Sequence, residues 1–532
     1  MNLRLPFEPL CVLYLLQQAG YEAYLVGGAV RDLLLNGMAS LASESESKAI
    51  VDFDITTNAS PEQIQIVFPD HFYENNFGTV SVTHDHLLAQ LAAMGYAVPD
   101  FTLASTPPSA SSKTRIIDAA SITKLHISLQ VPGEQGDAPS PARVAPFEIT
   151  TYRSEGVYSD HRRPSEIAWG TTIEQDVQRR DFTINALALS VDQALLASYI
   201  SQPLQTSYEL TPGQYNLVDV YGGIKDLAGR ILATVGDPQE RFSEDALRML
   251  RAVRIAVQLD FSVHPLTAQA IQSCAGLLAH ISGERIRDEL FKLLAGPNPK
   301  QGIELLDETH LLDFILPELL EGKNIAQGGH HTTDVWTHSL DALATCPSRD
   351  PLVRLATLIH DIGKPRTYAV QEQGITFYNH EIVGSRMAAQ IGKRLRLSKQ
   401  QQDRLFTLVR YHMFYYQPEH SDASIRRFMR KVGLDNIDDI LALREGDRLG
   451  SGARQTSWRL EEMKQRMIDQ LHQPMDASDL AINGHDLMAT FALKPGPILG
   501  KVLGLLLEEV LDDPERNTKE QLLKRAKSLL AE

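Results

Sequence analysis

Residues 21–37 are YEAYLVGGAVRDLLLNG, and this stretch sets the class of fold that we expect at the start of the chain. The apolar residues up to Val26 predict a strand, and the segment after the two glycines has the apolar spacing of a helix. A helix that begins directly after glycines presents backbone N–H groups that suit a phosphate. Gly27 and Gly28 are therefore candidate phosphate contacts, with Arg31 as an added positive charge. A plain turn before a helix is the alternative.

Two acidic residues lie on one face of the next predicted strand. Residues 51–59 are VDFDITTNA, and the side-chain period of two places Asp52 and Asp54 together, with Phe53 on the opposite face. Two carboxylates aimed at one point repel each other unless a cation lies between them, and Mg²⁺ prefers such oxygen ligands. Glu148, in the predicted strand that begins FEITTYR, is a third candidate acid for the same metal. An exposed strand edge with solvated carboxylates is the alternative.

A dense polar segment, RRDFTINA, follows at 179–186, within a stretch that we interpret as helical. On a helix, Asp181 and Asn185 are four residues apart and share a face. Together with Arg180 they make a set that can hold a triphosphate and a ribose. A surface cluster of ion pairs is the alternative.

The stretch after Glu244 combines an apolar stripe with a polar pair, Asp245 and Arg248, three residues apart on a predicted helix. An Asp accepts a hydrogen bond from an exocyclic amine, and an Arg donates to ring nitrogens or carbonyls. Cytosine and adenine each offer an amine beside an acceptor, so one such pair can accept C and A and reject U and G. Arg251 and Arg254 continue this helix and join the nucleotide-binding candidates. A surface ion pair is the alternative.

A second set of candidate ligands lies in the second half of the chain: His338, His360, Asp361, His380, His412 and Asp447. The His-Asp doublet ends the apolar helix pattern of LATLIHDIGKP, and both side chains reach one ion only if that ion lies beside the helix. Mixed imidazole and carboxylate ligands suit Mn²⁺, Ni²⁺, Co²⁺, Fe²⁺ or Mg²⁺ better than a closed thiolate zinc site. For any one of these histidines, a structural role without a metal is the alternative.

The composition predicts a multidomain globular protein. The 532 residues exceed one ordinary core, and 43% are hydrophobic. The net charge of −16 argues against binding membrane or nucleic acid through bulk charge. A local basic stretch at 393–431 interleaves with the aromatic residues between Tyr411 and Tyr416, which suits RNA; a solvated helical face over buried aromatics is the alternative. We recognise no signal peptide, membrane span or cysteine pair, so we expect a cytoplasmic protein.

The order of the motifs in the first half resembles that of one family. The order is Gly-Gly-x-x-Arg-Asp, Asp-x-Asp, a strand Glu, Asp-His-Arg-Arg-Pro at 160–164, Arg-Arg-Asp-Phe-Thr-x-Asn-Ala, Glu-Asp-x-x-Arg, and Gly-Glu-Arg-Ile at 283–286. From about Tyr21 to Leu294 the chain is similar to class II tRNA nucleotidyltransferases, the CCA-adding enzymes, and to their relatives the bacterial poly(A) polymerases.

The resemblance implies a role for each motif. The implied contacts are Mg²⁺ at Asp52 and Asp54, the triphosphate at Gly27, Gly28 and Arg31, the sugar and phosphates at Arg180, Asp181 and Asn185, and the base at Asp245 and Arg248. The chain departs from the family pattern in a longer spacing between Asp32 and Asp52, and in an insertion that we expect at 85–146.

The second set resembles the ligands of HD-type phosphohydrolases, a domain that some bacterial CCA-adding enzymes carry after the head. His338 fits the first ligand position, where His330 and His331 compete, and Asp447 fits the last. His380 and His412 would be extra ligands or phosphate contacts. The resemblance implies a transition metal such as Ni²⁺ or Mn²⁺, or Mg²⁺, and hydrolysis of 2′,3′-cyclic and 2′ phosphates.

These observations predict an α+β protein with a small mixed-sheet nucleotidyltransferase head, then an all-helical neck, an HD-domain body and a helical tail. The expected boundaries are 1–198, 199–300, 301–475 and 476–532. The expected activity is addition of CCA to tRNA from CTP and ATP, with no membrane or DNA partner. A CC-adding enzyme or a poly(A) polymerase relative is the alternative. Enzymes that add only A resemble the family without the loop at 160–164, so its presence disfavours them.

Overall fold

The computed structural model describes residues 1–41, 50, 52–74, 78–99, 145–153, 169–201, 203, 205–327, 333–372, 374–414, 416–452 and 457–531. The described strands are β1 (Leu3–Pro6), β2 (Ala23–Val26), β3 (Asp54–Thr57), β4 (Phe72–Glu74), β5 (Thr79–Val82), β6 (Phe147–Thr151), β7 (Leu187–Val191), β8 (Ser207–Leu210), β9 (Tyr215–Asp219), β10 (Ile231–Leu232), β11 (Ser262–Val263), β12 (Ala369–Gln371) and β13 (Gly374–Thr376).

The described α-helices are Phe7–Gln18, Gly28–Leu41, Pro61–Val67, His84–Ala93, Ile173–Gln178, Gln193–Ser201, Gly223–Gly229, Pro238–Glu244, Leu247–Leu259, Pro265–Cys274, Gly283–Leu294, Pro299–Glu308, Leu312–Ile315, Pro317–Leu320, Val335–Thr345, Pro351–Ile359, His380–Arg394, Lys399–Tyr411, Asp422–Val432, Ile437–Gly450, Trp458–Gln470, Gly484–Phe491, Pro497–Asp512 and Lys519–Ala531. Among these helices, none combines the length and the apolar character of a membrane span.

A seven-stranded mixed sheet organises the first part of the chain. Its strand order is β4-β5-β6-β3-β2-β7-β9, and only β3 and β6 run parallel. The central strand β3 is buried from Ile55 to Thr57. The helix Phe7–Gln18 is apolar around most of its circumference and is buried from Pro9 to Leu16. The centre of the sheet is therefore a rigid base for the residues at its strand ends.

The predicted strand–glycine–helix unit is confirmed, since β2 ends at Val26 and a helix begins at Gly28. The strand predicted over FEITTYR is confirmed as β6. The strand predicted from residue 51 begins only at Asp54. The insertion expected at 85–146 is wrong in its first part, which lies in the helix His84–Ala93, and 100–144 lie outside the described residues.

Two other local predictions were wrong. The polar stretch interpreted as one long helix from 171 to 189 contains a helix that ends at Gln178, a 3₁₀ turn at Thr183–Asn185, and strand β7. The prolines and glycine of 202–216 predict a break in the secondary structure, but this stretch contains β8 and the start of β9, and β9 extends the sheet. The segment 199–300 is therefore mainly helical but not all-helical, because it also carries β10 and β11.

The chain divides into two compact units. The first contains the described residues up to Leu293 together with Gln301–Ile315, and the second contains Leu294–Lys300 and the described residues from Leu316 onward. The described part of the second unit is helical apart from short 3₁₀ turns and the hairpin β12–β13. Near its end, residues between Leu480 and Ala526 share one hydrophobic cluster. The predicted α+β class, a small mixed-sheet head followed by a helical body, is confirmed.

Replacing Ile55 by alanine tests how far the head depends on its central strand. Ile55 is fully buried, with Leu25 and Ile149 beside it in the register. We expect the free energy of unfolding of the first unit to fall by roughly 2–5 kcal/mol, because the variant loses buried surface and leaves a cavity. Urea unfolding followed by circular dichroism measures this. The matched control is Ile66→Ala, at a side chain that is 79% exposed, with an expected change within about 0.5 kcal/mol. Equal losses at both positions would contradict the central role of β3.

Candidate nucleotide site and metal centre

Three acidic residues, which we call the acid cluster, meet at one end of the central strands: Asp52, Asp54 and Glu148. The register pairs Asp54 of β3 with Glu148 of β6, so both side chains project from the same face of the sheet. Asp52 lies two residues before Asp54 and is exposed, whereas Phe53, between the two aspartates, is buried. The expected separation of the phenylalanine from the two aspartates is therefore observed, although the strand proper starts at Asp54.

The charge of Asp54 is poorly solvated. Burial raises the pKa of Asp54; Arg180 opposes that shift, and Asp52 adds to it. A desolvated carboxylate beside a second acid gains more from a bound cation than an exposed one does. The donors of the acid cluster are all oxygens, which fits Mg²⁺.

Gly27 lets the backbone come close to this cluster. Its φ is +73°, in the left-handed region that favours glycine. A Cβ at Gly27 would lie 2.8 Å from Arg180 Nη1 and 3.7 Å from Asp54 Oδ2. Any side chain would therefore push Arg180 away from Asp54. Arg180 is held on its other side by Asp176 Oδ2 at 3.2 Å.

A hydrogen-bonded chain, which we call the phosphate network, joins four of the predicted nucleotide contacts. Arg31 Nη1 donates to Asn185 Oδ1 at 2.9 Å, and Asn185 Nδ2 donates to Asp181 Oδ1 at 3.2 Å. Arg251 Nε donates to Asp181 Oδ2 at 2.8 Å. Burial alone would raise the pKa of Asp181, but Arg251 and Asn185 stabilise its charge and hold that pKa at about 2. Asp181 and Asn185 are thus neighbours as expected, although through a turn rather than along a helix.

Two buried acids that the sequence analysis missed hold the arginines in place. Asp176 is fully buried and accepts from Arg179 at 2.7 Å and from Arg180 at 3.2 Å. Glu289 is 5% exposed and accepts from Arg254 Nε at 2.6 Å. Asp176 precedes Arg179 by three residues and Arg180 by four, and this helical spacing could have predicted the two ion pairs. Glu289 gave no comparable signal, because its contact depends on the packing of two separate helices.

Asp245 and Arg248 do not share a helix face, which corrects the predicted pairing. Asp245 has an extended backbone in the break between two helices, and its Oδ1 accepts from the Leu247 N–H at 3.1 Å. Its Oδ2 accepts from Arg285 Nη2 at 2.6 Å. The carboxylate of Asp245 is therefore fixed by Arg285, 40 residues further along the chain, rather than by Arg248.

Arg248 is fixed by other partners. Its Nη1 donates to Glu244 Oε2 at 2.5 Å, and its Nη2 donates to the carbonyl of Arg179 at 3.1 Å. The contact to Arg179 ties the base-reading candidate to the segment that also carries Arg180 and Asp181. The alternative of a simple surface ion pair between Asp245 and Arg248 is thus not what the structure shows.

Three histidines of the second set are fixed by one repeated local contact. The Nδ1 of each lies 2.7–2.9 Å from the carbonyl three residues earlier: His360 with Thr357, His380 with Phe377, and His412 with Val409. A carbonyl only accepts, so each Nδ1 carries a proton and each ring turns its Nε2 toward the others. Backbone contacts of this kind commonly orient metal-binding imidazoles.

All four histidines surround one carboxylate. Asp361 Oδ2 lies 3.1 Å from His360 Nε2 and 3.4 Å from His338 Nε2. Asp361 Oδ1 lies 3.3 Å from His380 Nε2 and 3.5 Å from His412 Nε2. These five residues are all at least 94% buried. The predicted set therefore comes together, including the two histidines whose role was left open.

Two further charged residues complete this metal centre. Asp447 Oδ1 lies 3.2 Å from His338 Nε2 and 3.6 Å from His360 Nε2. Lys364 Nζ, which the sequence analysis did not single out, lies 2.6 Å from Asp361 Oδ2 and donates to Gln327 Oε1 at 2.6 Å. His330 and His331, the competitors of His338, lie outside the described residues, as does the motif at 160–164.

The geometry of the centre fits a divalent metal. His338, His360 and Asp361 form one group, and Asp361, His380 and His412 another, with the ligand atoms of each group within 4.8 Å of one another. Ligand atoms that bind one ion at about 2.1 Å and at right angles lie about 3 Å apart, near the 3.2 Å between the Nε2 atoms of His338 and His360. Nitrogen and carboxylate donors together suit a transition metal.

The electrostatics of the centre also favour a cation. Burial lowers the pKa of His360, but Asp361 and Asp447 outweigh it and raise that pKa to about 10. The same contacts hold the pKa of each carboxyl well below its usual range, against the effect of burial. Positive charge between these two carboxylates is therefore strongly stabilised.

The basic stretch at 393–431 is mostly engaged within the chain. The ion pairs are Arg394–Glu318, Arg404–Asp439, Arg410–Glu381, Arg427–Glu508 and Arg430–Glu508. Tyr416 is buried, and Tyr415 lies outside the described residues. These contacts favour the alternative of a solvated helical face over the expected RNA-binding surface.

Gly363→Ala tests whether the doublet must lie against the helix that carries His380. A Cβ at Gly363 would lie 2.2 Å from the carbonyl oxygen of His380 and 2.7 Å from the N of Gly384, so the two segments must separate. We expect Mn²⁺ affinity, measured by titration calorimetry, to fall at least about tenfold. The control is Gly384→Ala in the same crossing, whose Cβ meets nothing closer than 3.4 Å. Equal affinity in both variants would contradict the dependence on Gly363.

Comparison with known proteins supports the interpretation of the first half as a nucleotidyltransferase head and finds a tRNA nucleotidyltransferase domain, not an HD domain, in the second half. The chain matches the model for the "Poly A polymerase head domain" over residues 23–97 and 94–233. It matches the "Probable RNA and SrmB- binding site of polymerase A" over 260–322, and domain 2 of tRNA nucleotidyltransferases over 372–526.

Individual relatives are named for the addition of A or of CCA. An A-adding tRNA nucleotidyltransferase of Deinococcus radiodurans is 36% identical over 63% of this chain and 75% of its own length. A CCA-adding enzyme of Anoxybacillus flavithermus is 27% identical over 97% of this chain and 95% of its own. The crystal structure of the Bacillus stearothermophilus CCA-adding enzyme in complex with CTP aligns with a TM-score of 0.60 and 25% identity, covering 98% of both chains. The chain belongs to the CCA-adding tRNA nucleotidyltransferase family.

Proposed function

We propose that this protein adds C, C and A to the 3′ end of tRNA, using CTP and ATP and no nucleic-acid template. The observation that carries the proposal is that Arg180, and Arg251 of the phosphate network, lie near enough to Asp54 of the acid cluster to oppose the rise of its pKa. One region then offers oxygen ligands for a cation and guanidinium groups for a triphosphate. The relatives named CCA-adding enzymes support the same activity.

Different residues of the head have different roles in nucleotide transfer. The acid cluster would hold Mg²⁺, and a bound cation there would supply activation of the attacking hydroxyl and stabilisation of the pyrophosphate charge. Arg180 lies beside Asp54 of the cluster and Arg31 lies in the phosphate network, and both bind the phosphates of the incoming nucleotide. The N–H groups at the start of the helix at Gly28 add hydrogen bonds to the same phosphates.

The base is selected by Asp245 and Arg248. Each is fixed by its own partner, Arg285 and Glu244, so both keep one orientation whichever nucleotide binds. Asp245 accepts from the exocyclic amine of cytosine or adenine, and Arg248 donates to the neighbouring ring acceptor.

The competing proposal is an enzyme that adds only the final A, which is the name of the Deinococcus radiodurans relative. Two primers separate the possibilities: tRNA that ends at position 73, and tRNA that already ends in CC. A CCA-adding enzyme extends the first by two residues with CTP alone and by three with CTP and ATP. An A-adding enzyme extends only the second. Failure to extend either primer would overturn the transferase proposal.

Asp54→Ala should abolish nucleotide addition without destabilising the protein. The variant loses a cation ligand, which we expect to slow addition at least about a thousandfold. It also removes a carboxylate whose pKa burial has raised, so the melting temperature should not fall. Primer extension and thermal unfolding measure the two effects. The control is the exposed Asp70→Ala. Asp52→Ala should behave like Asp54→Ala, and near wild-type extension by either would contradict the assignment.

Asp245→Ala should relax the choice of base. Removing the acceptor takes away about 1–3 kcal/mol of discrimination, so the preference for CTP over UTP should fall by roughly five- to 150-fold. The measurement is kcat/KM for each of the four nucleotides. The control is Asp288→Ala, at a side chain that is 55% exposed in the same unit. Unchanged preference with an unchanged rate would mean that Asp245 only anchors Arg285.

We propose a second activity for the second unit, a metal-dependent phosphohydrolase that acts on 2′,3′-cyclic and 2′ phosphates. The six buried groups of the metal centre support it. His338, His360, Asp361 and Asp447 would hold one divalent metal such as Ni²⁺, Mn²⁺ or Mg²⁺. Because Asp361 turns its other oxygen to His380 and His412, that pair offers a second cation position. A bound cation supplies Lewis acidity toward the phosphate oxygens. Lys364 adds a fixed positive charge beside them.

The finer division of the chain is also our proposal: a head, a neck to about residue 300, an HD body to about 475, and a tail. The hydrophobic cluster between Leu480 and Ala526 supports a separate tail. A cytoplasmic site of action is part of the same proposal, supported by the tRNA substrate.

His360→Ala should remove the hydrolytic activity and spare nucleotide addition. The ligands of the two sites lie in different compact units, so loss of one metal ligand should not reach the acid cluster. We expect bound metal to fall at least about tenfold, with CCA addition within about twofold of wild type. Hydrolysis of 2′,3′-cyclic AMP, metal content and primer extension measure the three effects, and the exposed His472→Ala is the control. Hydrolysis at the wild-type rate would contradict the ligand role of His360.

A further inference from the structure

Exposed aromatic side chains flank the hairpin that joins the two halves of the metal centre. The hairpin β12–β13 lies between the doublet and His380. Tyr368 precedes it and is 42% exposed, and Tyr378 follows it and is 70% exposed. A two-stranded hairpin has little hydrophobic core of its own. Because the rings of Tyr368 and Tyr378 are exposed, they do not stabilise the hairpin by burying apolar surface.

Phe377 links the ring of Tyr368 to the metal centre, and Tyr378 is the next residue along the chain. Its ring centroid lies 5.9 Å from that of Tyr368 and 5.6 Å from Lys364 Nζ. The same Lys364 Nζ lies 2.6 Å from Asp361 Oδ2. The aromatic group of Tyr368, Phe377 and Tyr378, which we call the aromatic hairpin, therefore begins one side chain away from the carboxylate at the middle of the centre.

A tight turn separates the exposed ring from the buried ligand. Asn379 has a φ of +63°, so the chain reverses between Tyr378 and His380. His380 is 6% exposed, and its Nδ1 donates to the carbonyl of Phe377 at 2.9 Å. The same turn therefore fixes the positions of both His380 and Tyr378.

We propose that the aromatic hairpin binds the base of the nucleotide whose phosphate is hydrolysed at the metal centre, with Tyr378 as the principal stacking residue. The inference rests on the proposed phosphohydrolase function and narrows its substrate class to nucleotides and RNA ends. Aromatic side chains stack on any base, since each base has a flat π face. The site should therefore favour nucleoside phosphates over base-free phosphoesters and show little preference among bases.

Tyr378→Ala separates base binding from the chemistry of hydrolysis. We expect KM for 2′-AMP and for 2′,3′-cyclic AMP to rise roughly tenfold, with kcat within about twofold. Both constants for glycerol 2-phosphate, which has no base, should stay unchanged. Tyr378→Phe should restore the KM because it keeps the ring. Val370→Ala is the matched control, at a 70% exposed side chain of the same hairpin.

A binding measurement gives a readout that does not depend on turnover. In Tyr378→Trp, the added indole should be quenched by 2′-AMP and not by glycerol 2-phosphate, after subtraction of the wild-type signal. Absence of quenching would overturn the stacking role. A similar loss for 2′-AMP and glycerol 2-phosphate in Tyr378→Ala would also overturn it, because the residue would then support the metal centre alone. If wild-type protein hydrolysed none of these substrates, the phosphohydrolase proposal would fail, and the quenching would still decide whether a base binds.

Discussion

Carboxylates that the fold holds together against their mutual repulsion are the constraint on which both units depend. In the head, parallel pairing of β3 with β6 brings Asp54 and Glu148 onto one face beside Asp52. In the second unit, Asp361 and Asp447 lie among four buried imidazoles. Burial makes the negative charges of Asp54, Asp361 and Asp447 costly, and a positive partner offsets that cost. Both sites are therefore arranged for cations by the backbone, before any substrate is bound.

Close approach of backbone segments makes both arrangements possible. Gly27 admits Arg180 to the edge of the acid cluster, and Gly363 allows the doublet to lie against the start of the helix at His380. In each case the absence of a Cβ allows the close approach of the two segments. The two glycines connect local sequence to chemistry, because each fixes how near a charged or ligating group comes to its carboxylate.

The sequence predicted those parts of the sites that depend on local periodicity. Alternation along the predicted strand separated Phe53 from its acidic neighbours, and the His-Asp doublet at a helix end marked the candidate metal centre. Contacts between distant segments were not predictable in the same way. Glu289 reaches Arg254 only because two helices pack together, and Asp245 finds Arg285 rather than the arginine three residues away. The helix expected around Asp181 was wrong because β7 competes for the residues that follow it.

Ion pairs between arginines and acidic residues bear on how an acidic protein could bind phosphate groups. With a net charge of −16, a long-range attraction to phosphate is weak. In the first unit, however, Arg180 and Arg254 are each held by a buried acid, and Arg251 is held by Asp181, whose side chain is 10% exposed. Such arginines have already lost most of their rotamer freedom, so a phosphate that binds them incurs less of that entropic cost. Under the proposed function, recognition of phosphate therefore depends on preorganised local charge. Asp176, Asp181 and Glu289 add to the negative charge of the chain, and they also fix these three guanidinium groups.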